Sequence, residues 1–165
     1  MSPNRLLPCL LLFSMTAIAA CVAPSDRAQL AKPDRATFSP VAQFMAHRCG
    51  SLDCHGSIYR NLRVFGSEGL RLNSGDRHVV VPTTSAEVDE SFLSLVSLEP
   101  EALAAVTSDR GANPERLSLI RKARGFDDHK GWIVMSEGDD QDRCLKSWLA
   151  NDTDAAACAR AVALP

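Results

Sequence analysis

"HRCGSLDCHGS", residues 47–57, is the stretch whose reading decides the fold. Four residues separate Cys49 from Cys54, and His55 follows the second cysteine directly. Three chemistries use such a set. A covalently held haem needs two thiols for the porphyrin vinyl groups and an adjacent imidazole for iron, ordinarily at the spacing C-x-x-C-H. A disulfide between Cys49 and Cys54 closes a small loop that an oxidising compartment favours. Zinc takes thiolates and imidazoles as well, but its structural sites commonly use two separated ligand pairs, and the next cysteine, Cys144, lies 90 positions beyond Cys54 without a neighbouring partner. Zinc is the least supported of the three, and residues 49–55 by themselves leave haem and disulfide open.

The N-terminus sets the compartment. Arg5 precedes an apolar run from Leu6 to Ala20 that is short for a bilayer span and reads as a secretory leader. The run ends Ile18-Ala19-Ala20-Cys21, which resembles the lipobox of bacterial lipoproteins, in which the cysteine is acylated and becomes the first mature residue. The resemblance implies residues 1–20 as a signal peptide, lipidation at Cys21 and a membrane-anchored protein in the cell envelope, on a periplasmic or outer face. Val22 to Thr37 is polar, holds two prolines and has no apolar period, so residues 21–37 read as a flexible tether and residues 38–165 as one domain of 128 residues. Without residues 1–20 the chain carries 17 basic and 20 acidic side chains, a formal charge of −3 with no basic run, which argues against nucleic acid as a partner.

Helical signals dominate the domain. Ser39-Pro40 is a helix start, and Val41, Phe44 and Met45 give the following helix an apolar face that delivers the chain to Cys49. Residues 56–82 carry four glycines and predict loops, with one short strand at Val79 to Val81. Helices follow from Ser85 (Val88, Phe92, Leu95, Val96), from Glu99-Pro100 (Leu103, Val106), from Asn113-Pro114 to a basic end closed by Gly125, and from about Asp139 to Ala150. The last of these shows Cys144, Leu145, Trp148 and Leu149 on one face, and Cys158 lies in an alanine-rich tail able to return against it. The predicted domain is mainly α, small, with long loops. Cys144 and Cys158 are read as a structural disulfide, with free buried thiols as the alternative.

Two segments carry a further resemblance. "FSPVAQFMAHRCGSLDCHG" followed by Gly69-Leu70-Arg71-Leu72 resembles the cytochrome c-like haem domains of large bacterial proteins, where a helix enters C-x-x-C-H-G and a Gly-Leu-Arg-Leu phrase comes soon after. "LSLIRKARGFDDHKGWIVMSEGDDQDRCLKSWLAND" resembles their second half: a Ser-x-Leu helix, a His-x-Gly-Gly turn, an acidic segment and a closing helix ending in Trp. Trp132 stands where the second glycine of that turn is expected, and the cysteine gap is four residues instead of two. What the resemblance implies is a cytochrome c-like fold, covalent haem c on Cys49 and Cys54, His55 as proximal iron ligand and His129 as distal ligand, with Met135 the alternative. It further implies electron transfer with redox partner proteins of the envelope, and no enzyme activity. The rival expectation is a haem-less lipoprotein of the same fold, bridged Cys49–Cys54 and Cys144–Cys158, with a binding or structural role.

Other chemistry finds no motif. No G-x-S-x-G, H-E-x-x-H or glycine-rich phosphate loop occurs, and the acidic run Glu137 to Asp142 lacks a full calcium loop. His47, on the entering helix, and His78, among surface-turn residues, are weaker ligand candidates than His129.

Overall fold

The computed structural model describes residues 30–76 and 80–163. The expected leader and the lipidation cysteine, Cys21, lie outside these residues, as do His78 and Val79. Among the described residues the chain is mainly helical, with α1 (Ser39–Cys49), α2 (Ser85–Val96), α3 (Pro100–Ser108), α4 (Ser118–Ala123), α5 (Asp140–Leu149) and α6 (Ala155–Ala163). Extended pairing is limited to two isolated bridges, Ser51 with Gly69 and Phe65 with Leu70. Val80 and Val81 form a turn and bend, so the short strand expected at Val79 to Val81 is not found at those two positions. No described helix is long and apolar enough to cross a membrane.

Local chemistry explains the helix starts. Pro40 and Pro100 occupy the first turns of α1 and α3, where a missing N–H costs nothing. Thr84 caps α2 in a full capping box with Glu87. Glu87 is fully buried, and its carboxylate also accepts from the Leu72 N–H at 3.2 Å and pairs with Arg71 Nε at 2.9 Å. A cap that would ordinarily face water thus fastens the 69–72 loop to α2. Asp139 caps α5 by accepting from the Asp142 N–H at 2.8 Å.

The core joins the two ends of the chain. Phe38, Phe92 and Trp148 interlock, with ring centroids 4.8 to 6.2 Å apart, inside the range of favourable aromatic pairs. The Trp148 indole N–H donates to the Asp34 carbonyl at 3.0 Å, Asn151 accepts from the Asp34 N–H at 2.7 Å, and Pro33 is buried. The packed chain therefore reaches back into residues 33–37, the stretch expected to be tether, which fold as a 3-10 turn, Arg35–Thr37, against α5. At the other end Cys144 and Cys158, both fully buried, form the expected disulfide and hold α6 to α5.

The helix expected from Asn113-Pro114 starts later, at Ser118. Asn113 adopts the left-handed region at φ +48°, and Leu117 is extended, so the chain from Pro114 makes a 3-10 turn and only then starts α4. That break swings α4 so that its C-terminal residue Ala123, through its carbonyl, receives the N–H groups of Val134 and Met135 at 2.8 and 3.1 Å. The loop from Arg124 to Ile133 is closed at its base by this pair.

Candidate functional site

The segment from Cys49 to His55 begins where α1 ends. Gly50 N–H bonds back to the Ala46 carbonyl, and the chain then makes a tight turn from Ser51 to Cys54, the Cys54 N–H donating to the Ser51 carbonyl at 2.9 Å. His55 N–H reaches the Cys49 carbonyl at 2.9 Å. The two extra residues of the gap are thus absorbed in a turn with Leu52 exposed at its tip, and His55 is still returned to the level of Cys49. Gly56 and Gly69 both press on this turn: a Cβ at either would collide with the Gly50 carbonyl oxygen. The two sequence phrases Cys-His-Gly and Gly-Leu-Arg-Leu therefore meet in space, and the meeting needs a glycine from each.

Cys49 and Cys54 are both partly buried and carry free thiols, so the Cys49–Cys54 bridge of the rival expectation is not formed. Burial, and then the nearby Cys54, push the Cys49 thiol up to about 12, opposed by Arg48. Arg60 ties the turn from outside, donating to the carbonyls of Asp53 and Cys54 at 3.1 and 3.2 Å.

His55 lies across a cleft from His129. The two rings are separated by 6.0 Å between centroids with planes 24° apart. His55 Nδ1 meets the Leu62 carbonyl at 3.0 Å, and His129 Nδ1 meets the Trp132 carbonyl at 3.1 Å. A carbonyl only accepts, so in each ring Nδ1 is the donor, and Nε2 is the nitrogen left to present a lone pair in a neutral imidazole. Ordinary aromatic pairs span the same separation; the hydrogen bonding is what separates a ligand pair from a packing contact. Metal-bound histidines characteristically donate the second ring nitrogen to a carbonyl or carboxylate, which fixes tautomer and orientation. Burial holds the His55 pKa below its ordinary value, against the Leu62 bond that raises it, and with His129 and Arg60 adding to the depression; this favours the neutral, ligating imidazole.

The cleft that both rings line has a volume of about 440 Å³, within the range of small-molecule and cofactor sites, ~300 to 1,000 Å³. Its walls are Leu62, Leu98, Leu119, Ala123 and Val134, with Cys49 and Cys54 beside His55. Arg48, Arg60, Lys122 and Lys130 stand around it with Asp53 and Asp128. Two free thiols, two imidazoles that each donate through Nδ1, apolar walls and bordering cations are a residue set that fits a covalently attached haem. A more open groove of about 730 Å³ lies beyond Tyr59 and Asn61, over α2, and contains no histidine or cysteine.

Met135 is elsewhere. It is 2% exposed, belongs to the hydrophobic core and does not line the cleft. His47 faces Glu68 at 3.8 Å, away from the cleft. Among the described residues no three His, Cys, Asp or Glu side chains converge as a metal-ligand group of their own.

Sequence reasoning missed the carbonyls of Leu62 and Trp132, which orient the two rings, because backbone acceptors leave no residue-type signal. The turn expected at His129 is found, closed by the Trp132 N–H on the His129 carbonyl at 3.0 Å; what residue types did not announce is its backbone conformation. Trp132 has φ +61°, a left-handed conformation that costs an L residue about 1–2 kcal/mol. Its side chain is 84% exposed, so packing returns little of that cost. Its neighbours Phe126 and Ile133 are likewise exposed, making the 124–133 loop apolar outside and polar toward the cleft. No known protein family, curated protein or solved structure matches this chain.

Proposed function

We propose that this protein is an exported, lipid-anchored electron-transfer protein carrying a single c-type haem in a cytochrome c-like domain. The observation that carries the reading is the pair His55 and His129, ring centroids 6.0 Å apart and each with Nδ1 on a backbone carbonyl, lining one cleft with two free thiols. Cys49 and Cys54 would hold the haem through thioether bonds, and His55 and His129 would both ligate its iron. When bound, the haem supplies reversible one-electron oxidation and reduction.

The remaining work belongs to the chain. Leu62, Leu98, Leu119 and Val134 exclude water from the cleft and lower its dielectric. Arg60, Lys122 and Lys130 offer cations suited to the two carboxylates of the haem periphery. Carbonyl bonds at both Nδ1 atoms raise the basicity of the ligands, and a second histidine in place of methionine favours a lower potential. No acid, base or nucleophile is required for such a role, so the chain acts as a carrier between redox partner proteins of the envelope and not as an enzyme. Acylated Cys21 would keep it at a membrane.

Expression with a c-type maturation system tests the reading. It predicts a Soret band and haem stain that survives a denaturing gel, both lost in the Cys49→Ala, Cys54→Ala double variant. Colourless wild-type protein without covalent haem stain would overturn it. For the anchor, Cys21→Ala should move the protein from the membrane to the soluble fraction; unchanged fractionation refutes lipidation there.

A further inference from the structure

We propose that the turn from His129 to Trp132 is a positioning device for His129, in which the left-handed backbone of Trp132 aims its carbonyl at Nδ1 and the bare Gly131 makes room for the ring. The inference rests on the reading of His129 as an iron ligand, and it assigns the residues that set the orientation of that ligand.

Both backbone groups of Trp132 are spent on His129. Its N–H donates to the His129 carbonyl at 3.0 Å, and its own carbonyl accepts from His129 Nδ1 at 3.1 Å. One residue returns both groups to the same neighbour only with the chain folded sharply back, which here means φ +61°. The indole is 84% exposed, so the backbone and not the side chain of Trp132 performs the task. Gly131 has a separate part: a Cβ there would lie 3.0 Å from His129 Cε1, 3.4 Å from Nδ1 and 3.5 Å from Nε2. Contact with three atoms of one ring puts that carbon against the imidazole itself, so even a methyl group displaces it. Gly131 shows no left-handed φ, and alanine at this position acts on the ring without straining the turn.

Three variants separate these roles. Trp132→Val places a β-branched residue where φ is positive and should open the turn. Trp132→Gly adopts the same φ freely and should retain it. Gly131→Ala should keep the turn but shift the ring. Two readouts apply, after thermal melts establish that each variant is folded. In haem-free protein, long-range ¹H–¹⁵N NMR reports the tautomer of His129; in haem-loaded protein, low-temperature electron paramagnetic resonance reports the geometry of the axial ligands. The expected result is loss of the Nδ1–H tautomer and a shifted or split low-spin signal in Trp132→Val, with both readouts as in wild type in Trp132→Gly. Gly131→Ala should preserve the tautomer and shift the signal. A Trp132→Val protein matching wild type in both readouts overturns the proposal, as does a Trp132→Gly protein perturbed as strongly as Trp132→Val. Should wild type accept no haem, the ligand reading fails by itself and the tautomer decides the turn: Nδ1–H lost only in Trp132→Val supports the positioning role, and Nε2–H in folded wild type overturns it.

Discussion

Breaking the Cys144–Cys158 bridge should destabilise the domain strongly while leaving the cleft untouched, because the bridge and the cleft lie on different elements. The cysteines are 14 positions apart, and cross-linking a loop of that size removes denatured-state entropy worth about 3 kcal/mol. For a domain of this length that corresponds to a fall in Tm of roughly 10 to 15 °C. Both sulfurs are fully buried, so the Cys144→Ala, Cys158→Ala double variant adds a loss of packing, whereas reduction by dithiothreitol isolates the cross-link. The assay is a thermal melt of haem-free protein with and without reductant, followed at far-ultraviolet wavelengths. None of the residues lining the cleft belongs to α5 or α6, so the double variant should take up haem normally at temperatures where it is folded. A Tm change below about 3 °C on reduction would refute the chain-entropy account, and failed haem uptake by folded double variant would refute the separation of bridge from site.

Three further perturbations test the packing around the site. Gly69→Ala puts a methyl group into the Gly50 carbonyl oxygen; overpacking of this kind costs about 1–3 kcal/mol, read as a lower urea midpoint, and should reduce the haem attached per chain. Arg124→Ala strips the guanidinium from the fully buried Asp142, to which it donates at 2.6 and 3.1 Å, and loss of one partner of a buried pair costs about 3–5 kcal/mol. Adding Asp142→Leu to an Arg124→Met background should recover part of that loss in the same denaturation assay, and no recovery would show that the charge itself is not the penalty. Glu115 is held below its ordinary value of 4.5 by its own backbone N–H and then by Arg124. Its contribution to stability is present above pH 4.5 and fades as pH falls through its folded-state value, so Glu115→Gln should flatten the acid limb of a stability profile. With the Glu115 side chain 40% exposed, screening keeps that effect to about 1 kcal/mol or less.

Much of the fold is written in local chemistry. Pro40, Pro100, the Thr84–Glu87 pair and Asp139 mark helix starts because each satisfies or avoids orphan N–H groups within its own turn. The pairing of Cys144 with Cys158 was legible from an apolar helix face followed by a small-residue tail. Features set by distant partners were not. Nothing in residues 33–37 announces that the Trp148 indole will claim the Asp34 carbonyl, and nothing in "SAEV" announces that a capping glutamate will be buried under Arg71. The split of the expected helix from Asn113 follows from positive φ at a residue whose side chain permits but does not require it. At the site, the cysteines, His55 and His129 were visible as residue types, while the carbonyls of Leu62 and Trp132 that orient the rings became visible only with the backbone path.

The central claim is that His55 and His129 would both hold the iron of one haem. Near-infrared magnetic circular dichroism of the oxidised, haem-loaded protein tests it most directly, because the charge-transfer band distinguishes two nitrogen ligands from a nitrogen and a sulfur. The account predicts a low-spin, bis-histidine band in wild type that disappears in His129→Ala and persists in Met135→Leu. A methionine-type band in wild type, or a bis-histidine band that survives His129→Ala, would contradict it.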